Sequence, residues 1–189
     1  KGQEGNLEAD ARTQYGVEDA DAVLTAAGKP ALEFYDADNA SKYLLDQNGA
    51  WSAAQGQEHM QTLLSKYNED NGNMVELVIA NNDDMALGAI DAIKAAGLVP
   101  GKDIIIVGCD SVKAAFDAIV AGEMNATIEC NPLYADAVAA LIKKLEAGEE
   151  GSRELLHPEE GAFCIDGGIE YAEGKVSVKA ADVIADRKY

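Results

Sequence analysis

From Val78 to Ile90 the chain reads VIANNDDMALGAI. An apolar run delivers two amides and two carboxylates, Asn81 to Asp84, to the start of an apolar helix. Such residues either cap the helix or hold a ligand. Other strand ends carry similar chemistry. DIIIVG (103–108) is followed by Cys109, Asp110 and Ser111, and NATIE (125–129) by Cys130 and Asn131. Asn6, Glu8 and Arg12 flank a glycine-containing opening loop, and Trp51 follows a polar stretch. Arg donates through a fixed fork, ionised carboxylates accept, and Asn does both, a mixture that suits the hydroxyls of a sugar. An indole face covers the C–H surface of a sugar ring with little side-chain entropy to lose. Each residue also has a structural use. Asp83 suits the N-cap of its helix, Asp84 the first turn, and Asp110 or Ser111 the cap of the next helix. Trp51 suits a core and Arg12 a solvated ion pair. His59 and His157 read as solvated surface residues. Only the convergence of the polar set on one rim favours a site.

The elements that would place these residues alternate regularly. Residues 8–28 have helical spacing, with Ala11, Tyr15, Ala22, Val23, Ala26 and Ala27 on one face and Gly28 as the stop. ALEFYD (31–36) reads as a strand, 37–50 as a polar loop and 51–67 as a helix. VELVIA (75–80), DIIIVG and NATIE read as strands, separated by helices over 83–96 and 111–122. Asn131 and Pro132 suit the cap and first position of a further helix that ends at Gly148. Strands alternating with helices predict an α/β fold with a parallel sheet flanked by helices, which binds ligands outside the carboxyl ends of its strands. Residues 1–148 form this lobe, and 149–189 a tail of strand-like segments in which IEYAEGKVSVKA reads as a β hairpin. The opening loop runs straight into a helix, so the lobe's first strand is expected to be absent.

Composition narrows the function classes. The 189 residues include 34 acidic and 15 basic ones, a net charge of −19. That argues against nucleic acid, which demands clustered cations that the sequence does not show, and against an anionic membrane surface. No apolar run reaches the length of a membrane span, and the opening residues hold no signal-peptide core, which leaves export neither shown nor excluded. Cys109, Cys130 and Cys164 form no CxxC, so they read as free thiols rather than a zinc site or a disulfide framework. GxSxG, HExxH and P-loop motifs are absent, and no enzyme is expected.

KGQEGNLEADARTQY, NGAW, VELVIANNDDMALGAIDAIK and IIIVGCDSVKAAFDAIVAGEMNATI together resemble the C-terminal part of glucose/galactose-type periplasmic sugar-binding proteins. These are substrate-binding proteins of ABC transporters, related to ribose binders and to LacI-type effector domains. The resemblance implies a bilobed, hinge-closing parent that binds a monosaccharide outside the cytoplasmic membrane and hands it to an ABC permease. A lipoprotein anchor is implied in a Gram-positive host, and the alternative is a LacI-type regulator. Asn82, Asp110 and Arg12 match the family's sugar-bonding residues, and Trp51 matches its stacking tryptophan. Asn6 stands where the family has histidine, Glu8 where it has aspartate, and Cys130 where it has asparagine, with Asn131 next. Glu76 matches a glutamate completing a calcium site whose loop would lie upstream. The resemblance makes the chain a fragment with about half a site and an unpaired strand edge. The tail hairpin, or a strand exchanged with a second copy, is expected to cover that edge.

Overall fold

The structure, a computed structural model, describes residues 1–3, 5–32, 51–68, 74–151 and 159–189. The strand and loop expected over 31–50 fall almost wholly outside the described residues, as does His157.

Three parallel strands carry the rim residues. β1 (Leu77–Ile79) pairs with β2 (Ile105–Asp110), Leu77 facing Ile105, and β2 pairs with β3 (Ala126–Glu129), Asp110 facing Glu129. The β-branched run Ile104–Val107 suits a strand flanked on both sides. Ile104 and Ile106 turn into a core with Ile93, Phe116, Ile119 and Met124, all buried. The helices that follow β1 and β2 supply most of that core: α3 (Asp83–Ala95) and α4 (Lys113–Val120). α2 (Ala53–Lys66) lies against α3 so closely that a Cβ on Gly56 would overlap the Met85 carbonyl, and one on Gly88 the Ala53 carbonyl. These glycines are needed for space, not for turning.

The α/β architecture is as expected, but the sheet is mixed. Two tail strands extend it: β4 (Ala162–Cys164), antiparallel to β3, and β7 (Val178–Lys179), parallel to β4. The predicted hairpin forms from β5 (Glu170–Ala172) and β6 (Lys175–Val176), turning at Gly174 with φ +70°. It does not fill a gap beside β1. It stands as a separate two-stranded sheet, while β4 and β7 join beyond β3. Among the described residues β1 pairs with β2 alone.

Helix α1 (Leu7–Ala26) uses a different face from the one its spacing suggests. It buries Ala9 and Thr13, whereas Tyr15 and Val23 are exposed. Small residues at 9, 13 and 16 let it approach the sheet, where a Cβ on Gly16 would sit 3.7 Å from Ile79 Cγ2. Helix α5 (Ala135–Glu146) starts three residues later than Pro132 predicts. Asn131 Oδ1 accepts the Leu133 N–H at 2.9 Å, a local turn that competes with capping. The tail closes with the short helix α6 (Ala180–Val183) and a 3-10 turn over Ile184–Asp186.

Candidate functional site

The C-terminal ends of β1 and β2 meet the start of α1, and Arg12 joins them. Its Nη1 donates to the Asn81 carbonyl at 2.6 Å and to Asp110 Oδ1 at 3.0 Å, and its Nη2 donates to Glu8 Oε1. These bonds use three of the five guanidinium N–H groups. Glu8 and Arg12 stand one helical turn apart, the spacing at which side chains meet. Burial works against the Arg12 charge, yet Cys109, Asp110 and Glu8 outweigh it, and its pKa stands above the ordinary value. Burial raises the Asp110 carboxyl, and the Arg12 charge and hydrogen bond hold it back.

Asp110 and Ser111 adopt φ of +115° and +61°, conformations that side-chain-bearing residues avoid. This kink turns Asp110 out of β2 toward Arg12. Neither residue caps α4 with its side chain, contrary to the sequence expectation. The Val112 N–H instead donates to Asp83 Oδ2 at 2.9 Å. Asp83 is fully buried, and its Oδ1 accepts from Thr127 Oγ1 at 2.7 Å. It therefore does not cap its own helix. Asn82 does, with Oδ1 accepting the Met85 N–H at 3.0 Å, while its Nδ2 donates to the Trp51 carbonyl at 2.9 Å. The expected roles of Asn82 and Asp83 are thus displaced by one residue. Asn82 is the cap and ties Trp51 to β1; Asp83 turns inward beneath β2, where Gly108 leaves it room.

Trp51 is half-buried, with φ +34°, and its indole lies over Gly2 and 5.9 Å from the Arg12 guanidinium. It belongs to the rim rather than the core. Asn6 caps α1, its Oδ1 accepting from the Glu8 and Ala9 N–H groups at 3.0 and 3.1 Å. Cys130 follows β3, and its N–H donates to the Asp110 carbonyl at 3.4 Å. Cys109 and Cys130 are free and half-buried. Burial pushes the Cys109 thiol up to about 12 and raises that of Cys130, so both stay neutral near pH 7 and neither is an activated nucleophile. Asn131 is engaged in its own turn and donates its N–H to Glu160 Oε1 at 3.4 Å. The structure therefore gathers Arg12, Glu8, Asp110 and Trp51 tightly and gives Asn6, Asn82 and Asn131 local capping or turn bonds.

Asn81, placed on the rim by the sequence but matched to no sugar contact, is its hub. It is buried, and its Oδ1 accepts from the Gly2 N–H at 2.6 Å and from Thr13 Oγ1 at 3.1 Å. The signal available was its place directly behind β1, on the rim but before the helix. Glu76 lies apart, exposed, ahead of β1, where its carbonyl accepts the Ile105 N–H at 2.9 Å. Among the described residues no group of three or more Asp, Glu, His or Cys could hold a metal. Calcium takes about six to eight oxygens, so Glu76 does not fit such an ion by itself.

Against this geometry, similarity to known proteins is informative. The profile of the periplasmic binding protein domain matches residues 1–150, and the chain belongs to that family. Galactofuranose-binding protein YtfQ of Escherichia coli is 39% identical over 103 residues, 54% of this chain and 32% of that protein. The D-galactose/methyl-galactoside binding periplasmic protein MglB of Haemophilus influenzae is 33% identical over 153 residues, covering 80% of this chain and 40% of its own. Among solved structures, the binding component of a Shewanella arabinose ABC transporter, bound to α- and β-L-arabinofuranose, superposes with TM-score 0.59. It shares 34% identity and covers 72% of this chain and 40% of that one. The chain thus spans about a third to two-fifths of the length of these relatives. No helix among the described residues is long and apolar enough to cross a membrane.

Proposed function

We propose that this chain is part of an extracytoplasmic substrate-binding protein that captures a monosaccharide for an ABC-type permease, with a hexose in its furanose form as the first candidate. The observation that carries the reading is the rim of Arg12, Glu8 and Asp110 beside Trp51, at the carboxyl ends of β1 and β2. Each of the three charged groups keeps donors or acceptors beyond their mutual bonds, as a polyhydroxylated ligand requires. The furanose form rests on relatives named for galactofuranose and solved with arabinofuranose. The wider hexose reading has the galactose relative, which matches more of this chain. The regulator alternative draws no support from these relatives, two of which are named as sugar-binding proteins and one as the binding component of an ABC transporter. Binding rather than catalysis agrees with neutral thiols and with relatives that are binding proteins. Calcium and a lipid anchor would both depend on residues other than these, and neither is part of the reading.

The test uses glycosides that cannot change ring size. Titration calorimetry of a longer form of the protein with methyl β-D-galactofuranoside and methyl β-D-galactopyranoside should show binding, tighter for the furanoside. Trp51→Ala should weaken it by about tenfold to a hundredfold, the scale of losing one aromatic platform. The 189-residue chain itself should bind far more weakly, because one rim buries little of a ligand that a closed cleft would enclose. Micromolar binding by the chain alone would contradict the shared-site reading. Tighter binding of the pyranoside would overturn the furanose form.

A further inference from the structure

One residue far along the chain touches the end of β2, which carries Asp110 of the rim, and the end of its neighbour β3. Arg187 Nη2 donates to the Ser111 carbonyl at 2.7 Å, just past the kink of β2. Its Nη1 donates to Glu129 Oε1 at 2.8 Å, at the end of β3. The pair is largely buried, with side chains 11% and 10% exposed. Three rings surround the guanidinium: Tyr189 at 4.5 Å, Phe116 at 4.7 Å and Phe163 at 5.2 Å. Tyr189 completes the arrangement. Its hydroxyl donates to Glu129 Oε1 at 2.5 Å, and its main-chain oxygen accepts the Lys113 N–H at 2.7 Å, at the start of α4. The other Glu129 oxygen accepts the Gly161 N–H at 3.1 Å. Burial tends to raise the Glu129 carboxyl, but the bonds from Tyr189 and Arg187 outweigh it and it stays below its ordinary range, hence ionised.

Two features make this more than an ordinary ion pair. First, Arg187 Nε is buried without a hydrogen-bond partner among the described residues. Leaving a buried donor unpaired is unfavourable. The orientation is therefore set by the two Nη contacts and the stacked rings, at the expense of the third. Second, those contacts bracket the strained segment. Asp110 and Ser111 hold positive φ, and such conformations persist only where surroundings over-determine them. A planar guanidinium of fixed width, spanning Ser111 and Glu129, holds the end of β2 at a set distance from the end of β3.

We infer that Arg187 is a positioning residue for the rim, a guanidinium spacer that keeps the Asp110–Ser111 kink in the geometry that presents Asp110 to Arg12. That the rim takes a sugar is the reading proposed above. The spacer's effect on the kink stands independently of it. Lysine cannot replace it, because an ammonium is a point charge without the fork.

Amide hydrogen exchange on the full chain tests this directly, comparing wild type with Arg187→Ala, Arg187→Lys and Tyr189→Phe. Arg187→Ala should speed exchange in segments 109–113 and 129–131 by about tenfold or more while α3 keeps its wild-type protection. Arg187→Lys should recover little of the loss. Tyr189→Phe, which removes only the hydroxyl bond to Glu129, should loosen 129–131 more than 109–113 and keeps the test decisive if Arg187→Ala does not fold. Equal acceleration in α3 would reduce Arg187 to general stability, and no acceleration in either segment would remove the spacer altogether. In a longer form that binds methyl β-D-galactofuranoside, Arg187→Ala should raise the dissociation rate about tenfold, and unchanged affinity despite a loosened kink would overturn the positioning role. If wild type binds no glycoside, the functional reading fails while the exchange data still decide the spacer.

Discussion

Asp83 shows how one carboxylate organises a rim it never reaches. It accepts from Thr127 on β3 and from the Val112 N–H that opens α4, so it ties the α3 start to two other elements. Burial is the largest influence on it and, with a smaller push from the Asp110 charge, raises its pKa from 3.8 to about 7 despite the bonds from Thr127, Val112 and Ser111. A carboxyl raised on folding binds more protons in the native state than in the unfolded one between those two values. Stability carried by this group is therefore fullest at low pH and falls as pH rises from about 4 to about 7. Asp83→Asn keeps the shape and removes the titration. The melting temperature of the variant relative to wild type should climb across that window and level off above it. Thermal melts at matched ionic strength would show this, and parallel profiles for the two proteins would count against a buried, proton-linked Asp83. From the sequence, NNDD was legible as both cap and rim, but not which residue does which. The choice is made by Gly108 and Thr127, residues of other strands that leave Asp83 space and a hydroxyl, and no local spacing encodes that.

At the scale of elements, the placement of Trp51 depends on two helices touching backbone to backbone. Trp51 stands two residues ahead of α2, and Asn82 of the α3 cap holds its carbonyl. Gly56 and Gly88 permit the close approach that sets the height of α2 above α3. Gly88→Ala would drive a methyl group into the Ala53 carbonyl. Overpacking of this kind costs about 1–3 kcal/mol, set against a helix-propensity gain of about 1 kcal/mol from replacing glycine. The steric cost should prevail, since backbone on both sides cannot give way as a flexible side chain would. Denaturant unfolding should show a net loss of up to about 2 kcal/mol, and Trp51 emission should shift as α2 lifts, with an unshifted spectrum and unchanged midpoint marking the opposite. The alternation of strands and helices was readable because turn glycines and apolar runs are local signals. The face of α1 was not, since Ala9, Thr13 and Gly16 are selected by closeness to β1 rather than by hydrophobicity. The start of α5 was misplaced because an Asn–Pro pair can turn on its own amide.

The molecule as a whole leaves apolar surface on one side of its sheet. Residues of β2 and β3 alternate, so Ile105 and Ile128 lie opposite the core-facing Ile106 and Thr127, and both are exposed by 40% or more. Helix α5 carries Val138, Ile142 and Leu145 along one stripe, each at least half exposed, and no residue of α5 is buried. Apolar patches of this kind favour contact with another protein surface. A second copy of this chain is one such surface. The net charge of −19 opposes such contact and does so most at low salt, where repulsion is least screened. Hydrophobic association resisted by charge has a distinctive dependence: it strengthens as salt rises, opposite to association through ion pairs. Sedimentation equilibrium should therefore give an average mass that increases with protein concentration, and more steeply at about 0.5 M salt than at about 0.05 M. Ile142→Glu combined with Leu145→Glu adds charge within the α5 stripe and should return the mass toward the 19.9 kDa of one chain under both conditions. A mass that stays at one chain throughout, or that falls as salt is added, would mean that the exposed stripe is not what brings copies together.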